Sequence, residues 1–113
     1  LSTLCGLPRP AFLEGRSFAP LFVDPDQPWK DAVFSWRRPM YHDLAKGYHE
    51  ACSMRTERYR FTIYWNEAGG EVFLELFDHT DDCYATRNLA LDPGNRGLVD
   101  ALRTQLMAGW RGE

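Results

Sequence analysis

Residues able to do chemistry gather in one stretch, Trp36-Arg37-Arg38-Pro39-Met40-Tyr41-His42. Two guanidinium groups sit side by side among aromatic residues. A guanidinium presents a planar fork of donors that suits a sulfate or a carboxylate. Arg37, Arg38 and His42 are therefore the candidate substrate-binding residues, in that order. The plainer role for the same stretch is an edge loop with solvated arginines. Asp78, Asp81 and Asp82 form an acidic group, yet they lack the glycine and distal glutamate of a calcium loop. Turn formation is the expected role for them. His42, His49 and His79 are not spaced as ligands on one helix face, and each is expected to be a surface or packing histidine. Cys5, Cys52 and Cys83 are odd in number and match no zinc spacing, so free thiols are expected, one or two of them buried. No catalytic residue and no metal ligand is assigned within the chain.

The loop needs a frame. Arg58 to Trp65 is dense in β-branched and aromatic residues and reads as a strand. Tyr59, Phe61, Ile63 and Trp65 fall on one face; Arg58, Arg60, Thr62 and Tyr64 fall on the other. Asn66 to Gly70 is turn chemistry, and Val72 to Phe77 returns as the partner strand. Ala32 to Trp36 is a further short strand. Met54-Arg55-Thr56 is expected to start the strand that continues into Tyr59. Between them, Arg37 to Cys52 reads as a long irregular stretch, with a helical turn around Asp43 to Lys46 ended by Gly47. Leu98, Leu102, Leu106 and Trp110 recur every four residues, which predicts an amphipathic helix of about 16 residues. Asp92 is placed to cap it and Pro93 to occupy its first position.

Residues 1–30 differ in kind. They carry many breakers and little periodicity, apart from a helix end at Leu1 to Leu7 closed by Gly6 and stopped by Pro8. They read as a strap lying on something else, with residues 31–113 as the sheet–helix unit. A chain of 113 residues, 44% hydrophobic and 14% aromatic, allows one small domain. The expected fold is α+β, a small antiparallel sheet of about four strands packed by the C-terminal helix. A net charge of −3 ranks nucleic acid low as a partner. No run approaches the length of a membrane span. The chain opens on Leu1 without Met or a leader, so a segment of a longer or processed chain is expected.

The pieces in order also carry a resemblance. The closing residues are Glu75-Leu76-Phe77-Asp78, Asp82, Asn88-Leu89-Ala90 and Asp92-Pro93, followed by the helix. This order resembles the C-terminal end of sulfatases of the alkaline phosphatase superfamily, where a phrase like "ELYDL, a few residues, DP-x-E-x-x-NLA" precedes the last helix. Leu1 to Leu7, LSTLCGL, is similar to the family's "FPTLxxLAGL" helix. Leu13 to Phe18, LEGRSF, is similar to its "LxGxSL" segment. Ser53 to Thr62, SMRTERYRFT, is similar to its "MxRTxxYKYT" strand and closest in flavour to the iduronate-2-sulfatase-like branch. Cys83 stands where the family usually has Pro, and Ala85 where it often has Glu; both changes fall in a turn.

The resemblance implies hydrolysis of sulfate esters by a formylglycine nucleophile, with calcium polarising the sulfate and Lys and His residues handling charge and protons. These groups belong to a large N-terminal catalytic domain. The implied partners are that domain, or a separate large chain, and through it a sulfated substrate; calcium is the cofactor of the full enzyme. The family also implies a periplasmic, secreted or lysosomal setting, with a cytoplasmic one left open. Cys83-Tyr84-Ala85-Thr86-Arg87 matches the formylglycine pattern Cys-x-(Pro/Ala)-x-Arg. It lies after the central hairpin, however, whereas the family's nucleophile lies far upstream, so Cys83 is not read as catalytic. A second reading remains beside this one: a free-standing binding module for an acidic carbohydrate or a protein.

Overall fold

The computed structural model describes residues 1–13, 15–38 and 45–109. The chain divides into two compact units, Leu1–Lys30 and Asp31–Glu113.

In the first unit the Cys5 N–H donates to the Leu1 carbonyl at 3.1 Å and the Leu7 N–H to Ser2 at 2.9 Å, with Gly6 at φ +67°. This is a helical turn closed by a left-handed glycine, the geometry in which Gly lacks the Cβ penalty. A 3-10 turn follows at Ala19–Phe22, with Pro20 at its second position. The Arg16 guanidinium lies 4.9 Å from the centroid of the Trp29 ring. No described residue of this unit is buried, and Leu1, Leu7, Phe12, Phe22 and Val23 are all largely exposed.

The second unit is a four-stranded antiparallel sheet: β1 (Ala32–Arg37), β2 (Glu50–Thr56), β3 (Tyr59–Trp65) and β4 (Glu71–Asp78), hydrogen-bonded in chain order. The helix α1 (Arg96–Ala108) completes an α+β fold. Strand β2 departs from the sequence reading at both ends. It begins at Glu50, inside the stretch read as irregular, because Glu50 pairs with Trp65. It ends at Thr56, so Met54 to Thr56 closes β2 and does not open β3. The turn has no Gly or Pro to announce it. The Thr56 hydroxyl makes it instead, accepting from the Tyr59 N–H at 2.9 Å and donating to the Tyr59 carbonyl at 3.3 Å.

The β3–β4 turn follows the sequence signal. Gly69 sits at φ +80°, and the Asn66 side chain accepts from the Gly70 N–H at 2.8 Å. The helix starts later than expected. Asp92 caps a 3-10 turn, Pro93–Asn95, by accepting from the Gly94 N–H, and the α-helix begins at Arg96. Gly94 and Asn95 are poor helix formers, which accounts for the tighter first turn. The helix ends at Ala108 against Gly109, at φ +72°. The expected continuation to Trp110 lies outside the described residues, as does the start of the expected helical turn at Asp43.

The core lies between α1 and one sheet face. Cys52, Met54, Phe61, Ile63 and Leu76 from the strands meet Val99, Leu102 and Leu106 from the helix. Phe61, Ile63, Leu102 and Leu106 were legible as spaced apolar residues, since period 2 on a strand and 3.6 on a helix put them on facing surfaces. No helix is long and apolar enough to cross a membrane among the described residues.

One ion pair ties the β2–β3 turn to the end of β4. The buried Asp78 carboxylate accepts from Arg58 Nε at 3.0 Å and Nη2 at 2.7 Å, and from the Thr80 N–H at 3.1 Å. Asp82 accepts from the backbone N–H groups of Arg87 and Thr86, at 2.8 and 2.6 Å, and so shapes the turn carrying Cys83. The Arg58 bond, foremost, holds the Asp78 carboxyl below the usual carboxylate range, and the Arg87 N–H does the same for Asp82. Groups depressed in the folded state stabilise it fully above their unfolded pKa, near 4, and less as pH falls through the folded values. The urea midpoint of this unit should therefore drop below about pH 4. An Asp78→Asn, Asp82→Asn double variant should flatten that drop; an unchanged acid profile would refute the assignment.

Candidate functional site

The Trp36–His42 stretch leaves the sheet where β1 ends, at the same end as the start of β2 and the β3–β4 turn. Register decides which way its residues face. Arg37 pairs with Ala51, Ala51 with Tyr64 and Tyr64 with Phe73, so these four share the face away from α1. Trp36 pairs with Cys52 and Cys52 with Ile63, so Trp36 is on the helix face. Arg37 and Arg38 are exposed. His42 lies outside the described residues.

On the open face the root of the loop abuts an aromatic group. Tyr48 and Tyr64 have ring centroids 5.0 Å apart, and Tyr64 and Phe73 5.9 Å apart. The Tyr64 hydroxyl donates to Glu75 Oε2 at 3.0 Å. Burial, then the Glu75 carboxylate, pushes the Tyr64 hydroxyl up to about 12, and the nearby Arg37 charge opposes the rise. Tyr64 is thus a neutral donor at any physiological pH. Beside it, the Thr62 hydroxyl donates to Ser53 Oγ at 3.0 Å, which satisfies a buried polar group on the same face.

On the helix face, Trp36 stacks on Trp65 with centroids 5.9 Å apart and planes inclined at 22°. The Trp36 Nε1–H donates to Glu50 Oε1 at 2.7 Å. This couples the last residues of β1 to the first of β2 at the two points where the loop joins the sheet. Trp36 is nonetheless 61% exposed. It forms the rim of a cleft of about 600 Å³ lined by Phe34, Glu50, Cys52, Trp65 and Leu106. The Cys52 thiol in its wall is buried, and burial, then the Glu50 charge, pushes its pKa up. That is the opposite of an activated nucleophile.

The remaining candidates separate. Asp78 and Asp82 are occupied as described, and among the described residues no group of three His, Cys, Asp or Glu side chains is placed to hold a metal ion. His49 uses its backbone N–H on the Trp65 carbonyl at 2.7 Å, and the His79 Nε2 is buried with no hydrogen-bond partner among the described residues. Cys5 and Cys83 are exposed free thiols. The Trp36–Glu50 bond was missed in the sequence because Glu50 looked like part of a loop. The only signal for it was the apolar run that follows, Ala51-Cys52. Tyr48 was missed for the same reason.

What these features do together is present arginine and aromatic surface at one end of the sheet. No curated protein matches the chain. A Bacteroides thetaiotaomicron protein assigned as a sulfatase superposes with a TM-score of 0.70 at 26% identity, over 95% of this chain and 22% of its own. A protein from the same organism, from its metabolism of multiple glycosaminoglycans, gives 0.70 at 27% identity, over 89% and 23%. A third, solved with its substrate D-glucosamine-2-N,6-O-disulfate, gives 0.63 at 15% identity, a likeness of fold alone, over 99% and 24%. The chain thus spans less than a quarter of each of these proteins. The family model described as "N-sulphoglucosamine sulphohydrolase, C-terminal" matches residues 1–111, and the chain belongs to that family as the C-terminal subdomain of a sulfatase.

Proposed function

We propose that this subdomain packs on a sulfatase catalytic domain through residues 1–30 and lends its Trp36–His42 loop to substrate recognition. The observation that carries the first part is the exposure of the 1–30 unit. Leu1, Phe12, Phe22 and Val23 are each at least 70% exposed in a unit with no buried described residue. An isolated protein rarely leaves such surface open unless a partner covers it. In this reading the formylglycine nucleophile and calcium belong to the catalytic domain, and no step of the hydrolysis is performed here.

Arg37 and Arg38 contribute charge-assisted hydrogen bonds to a carboxylate or a second, non-reacting sulfate of the substrate's sugar, and His42 stands third in the set. The substrate class is a sulfate carried on a sugar ring. The matched family's name supports an N-sulfated glucosamine; the Ser53–Thr62 segment supports an iduronate-2-sulfatase-like branch. Both fit that class.

The test uses the full chain with a sulfated glucosamine and a small aryl sulfate. A lost hydrogen bond to a charged group costs about 1.5–3 kcal/mol, so Arg37→Ala should raise KM for the sugar about 10–100-fold. Contacts remote from the reacting sulfur act as uniform binding, so kcat should hold. The aryl sulfate, which carries no sugar and no second anionic group, should be unaffected. Equal KM values for wild type and Arg37→Ala on the sugar would remove the loop from the site. A full chain inert on both esters would favour the binding-module reading.

A further inference from the structure

The two outer edges of the sheet are treated differently. The direction of each backbone group follows from one bond. The His79 N–H donates to the Arg58 carbonyl, across the Tyr59–Asp78 pair, which makes that pair a non-hydrogen-bonded one. Alternation then assigns the backbone of Arg60, Thr62 and Tyr64 to β4, and that of Phe61 and Ile63 to β2. One strand further, Ala51, Ser53 and Arg55 bond to Arg37, Ser35 and Val33 of β1. On β4 the outward groups are those of Leu74 and Leu76. On β1 they are those of Ala32, Phe34 and Trp36.

The β4 edge is closed. The Asn88 side chain accepts from the Leu76 N–H at 2.9 Å and donates to the Leu74 carbonyl at 2.9 Å, copying one step of a strand ladder. Among the described residues the β1 edge has no such guard. No hydrogen bond among the described residues engages the outward groups of Ala32, Phe34 or Trp36. Ala32 to Trp36 contains no Pro, Gly or charge. Proteins blunt an exposed edge with just those devices, or cover it. The apolar surface also continues past the edge, since Trp36 and Val33 are exposed on opposite faces of β1.

We infer that β1 is a docking edge: an extended segment of the sulfatase polypeptide outside residues 1–113 adds to the sheet as a fifth strand, antiparallel or parallel to Ala32–Arg37. This rests on the subdomain reading above. The occupant is argued from length and continuity. The similar solved chains are more than four times as long as the part matched here, and a strand laid on β1 would cover Phe34 and the Trp36 rim at once. Main-chain bonds give such an addition its strength, and alternate side chains its choice of partner. Its position beside Trp36 also ties the root of the arginine loop to the catalytic domain.

The experiment is amide-resolved hydrogen exchange on the full chain. The amides of Val33 and Ser35, bonded to β2, serve as internal controls. The amides of Phe34 and Trp36 should exchange at least about 100-fold slower than open-chain rates, because a ladder bond exchanges only on local opening. Alternate amides of one segment outside 1–113 should slow with them, at every protein concentration. Open-chain rates at Phe34 and Trp36 would overturn the proposal. So would protection that appears only as the protein self-associates, which means a second copy, or protection shared with residues 1–30. Aryl sulfate hydrolysis by the same sample separates the two claims. An active enzyme with a free β1 edge defeats the strand addition alone, and an inactive one with a protected edge defeats the sulfatase reading alone.

Discussion

Phe61→Ala should cost the sheet–helix unit about 3–5 kcal/mol, the largest single effect expected from a substitution in this chain. Phe61 is fully buried, at the middle of β3, with Met54 and Leu76, also fully buried, opposite it on β2 and β4. Truncation to Ala removes the ring's transfer free energy and leaves a cavity that strands on both sides hold open. Single domains are stable by roughly 5–15 kcal/mol, so the loss takes about a fifth of that or more. Phe61→Leu keeps most of the volume and should cost about 1–1.5 kcal/mol. Urea unfolding followed by tryptophan fluorescence reads both. An alanine variant within about 1 kcal/mol of wild type would mean that the core is not centred on this ring.

Asn88→Ala should cost about 2–4 kcal/mol, although it removes only a half-buried polar side chain. Its amide makes three bonds: from Leu76 N–H, to the Leu74 carbonyl, and from Ala90 N–H at 3.0 Å. Each is worth about 0.5–1.5 kcal/mol net, and a half-buried backbone N–H left without a partner adds to the loss. Asn88→Asp separates the contributions. It keeps both accepted bonds and turns the bond to the Leu74 carbonyl into a repulsion, so its cost should fall between wild type and Ala. Because the amide also closes the β4 edge, Asn88→Ala should aggregate faster than Phe61→Leu, which light scattering at matched stability would show. Equal aggregation rates would remove that role.

The hairpin, the α1 face and the core positions Phe61, Ile63, Leu102 and Leu106 were legible in the sequence because burial imposes periodicity. The family was legible for another reason: Asn88-Leu89-Ala90 and Asp92-Pro93 are turn and edge devices with fixed spacing to the last helix. What escaped was structure made by polar side chains acting at a distance. Nothing local shows that the Thr56 hydroxyl makes a turn without glycine, or that Glu50 belongs to a strand because Trp36 and Trp65 need its company. The same limit applies to the site. Arg37 and Arg38 can be chosen by chemistry, but only the Arg37–Ala51–Tyr64–Phe73 register places Arg37 beside the aromatic group.

The strict neighbour-to-neighbour strand order has a consequence for kinetics. Each strand pairs with the one before or after it, so few contacts span long stretches of chain, and such topologies fold fast for β-containing domains. Closure entropy then orders the steps. The β2–β3 and β3–β4 connections, two and five residues long, are the short ones, so the three-stranded β2–β3–β4 meander is the natural nucleus. The β1–β2 connection is the longest in the sheet, so β1 should join last and leave first. Substitutions in β1 should therefore speed unfolding while leaving the folding rate nearly unchanged, whereas Asn66 and Gly69 substitutions should slow folding itself.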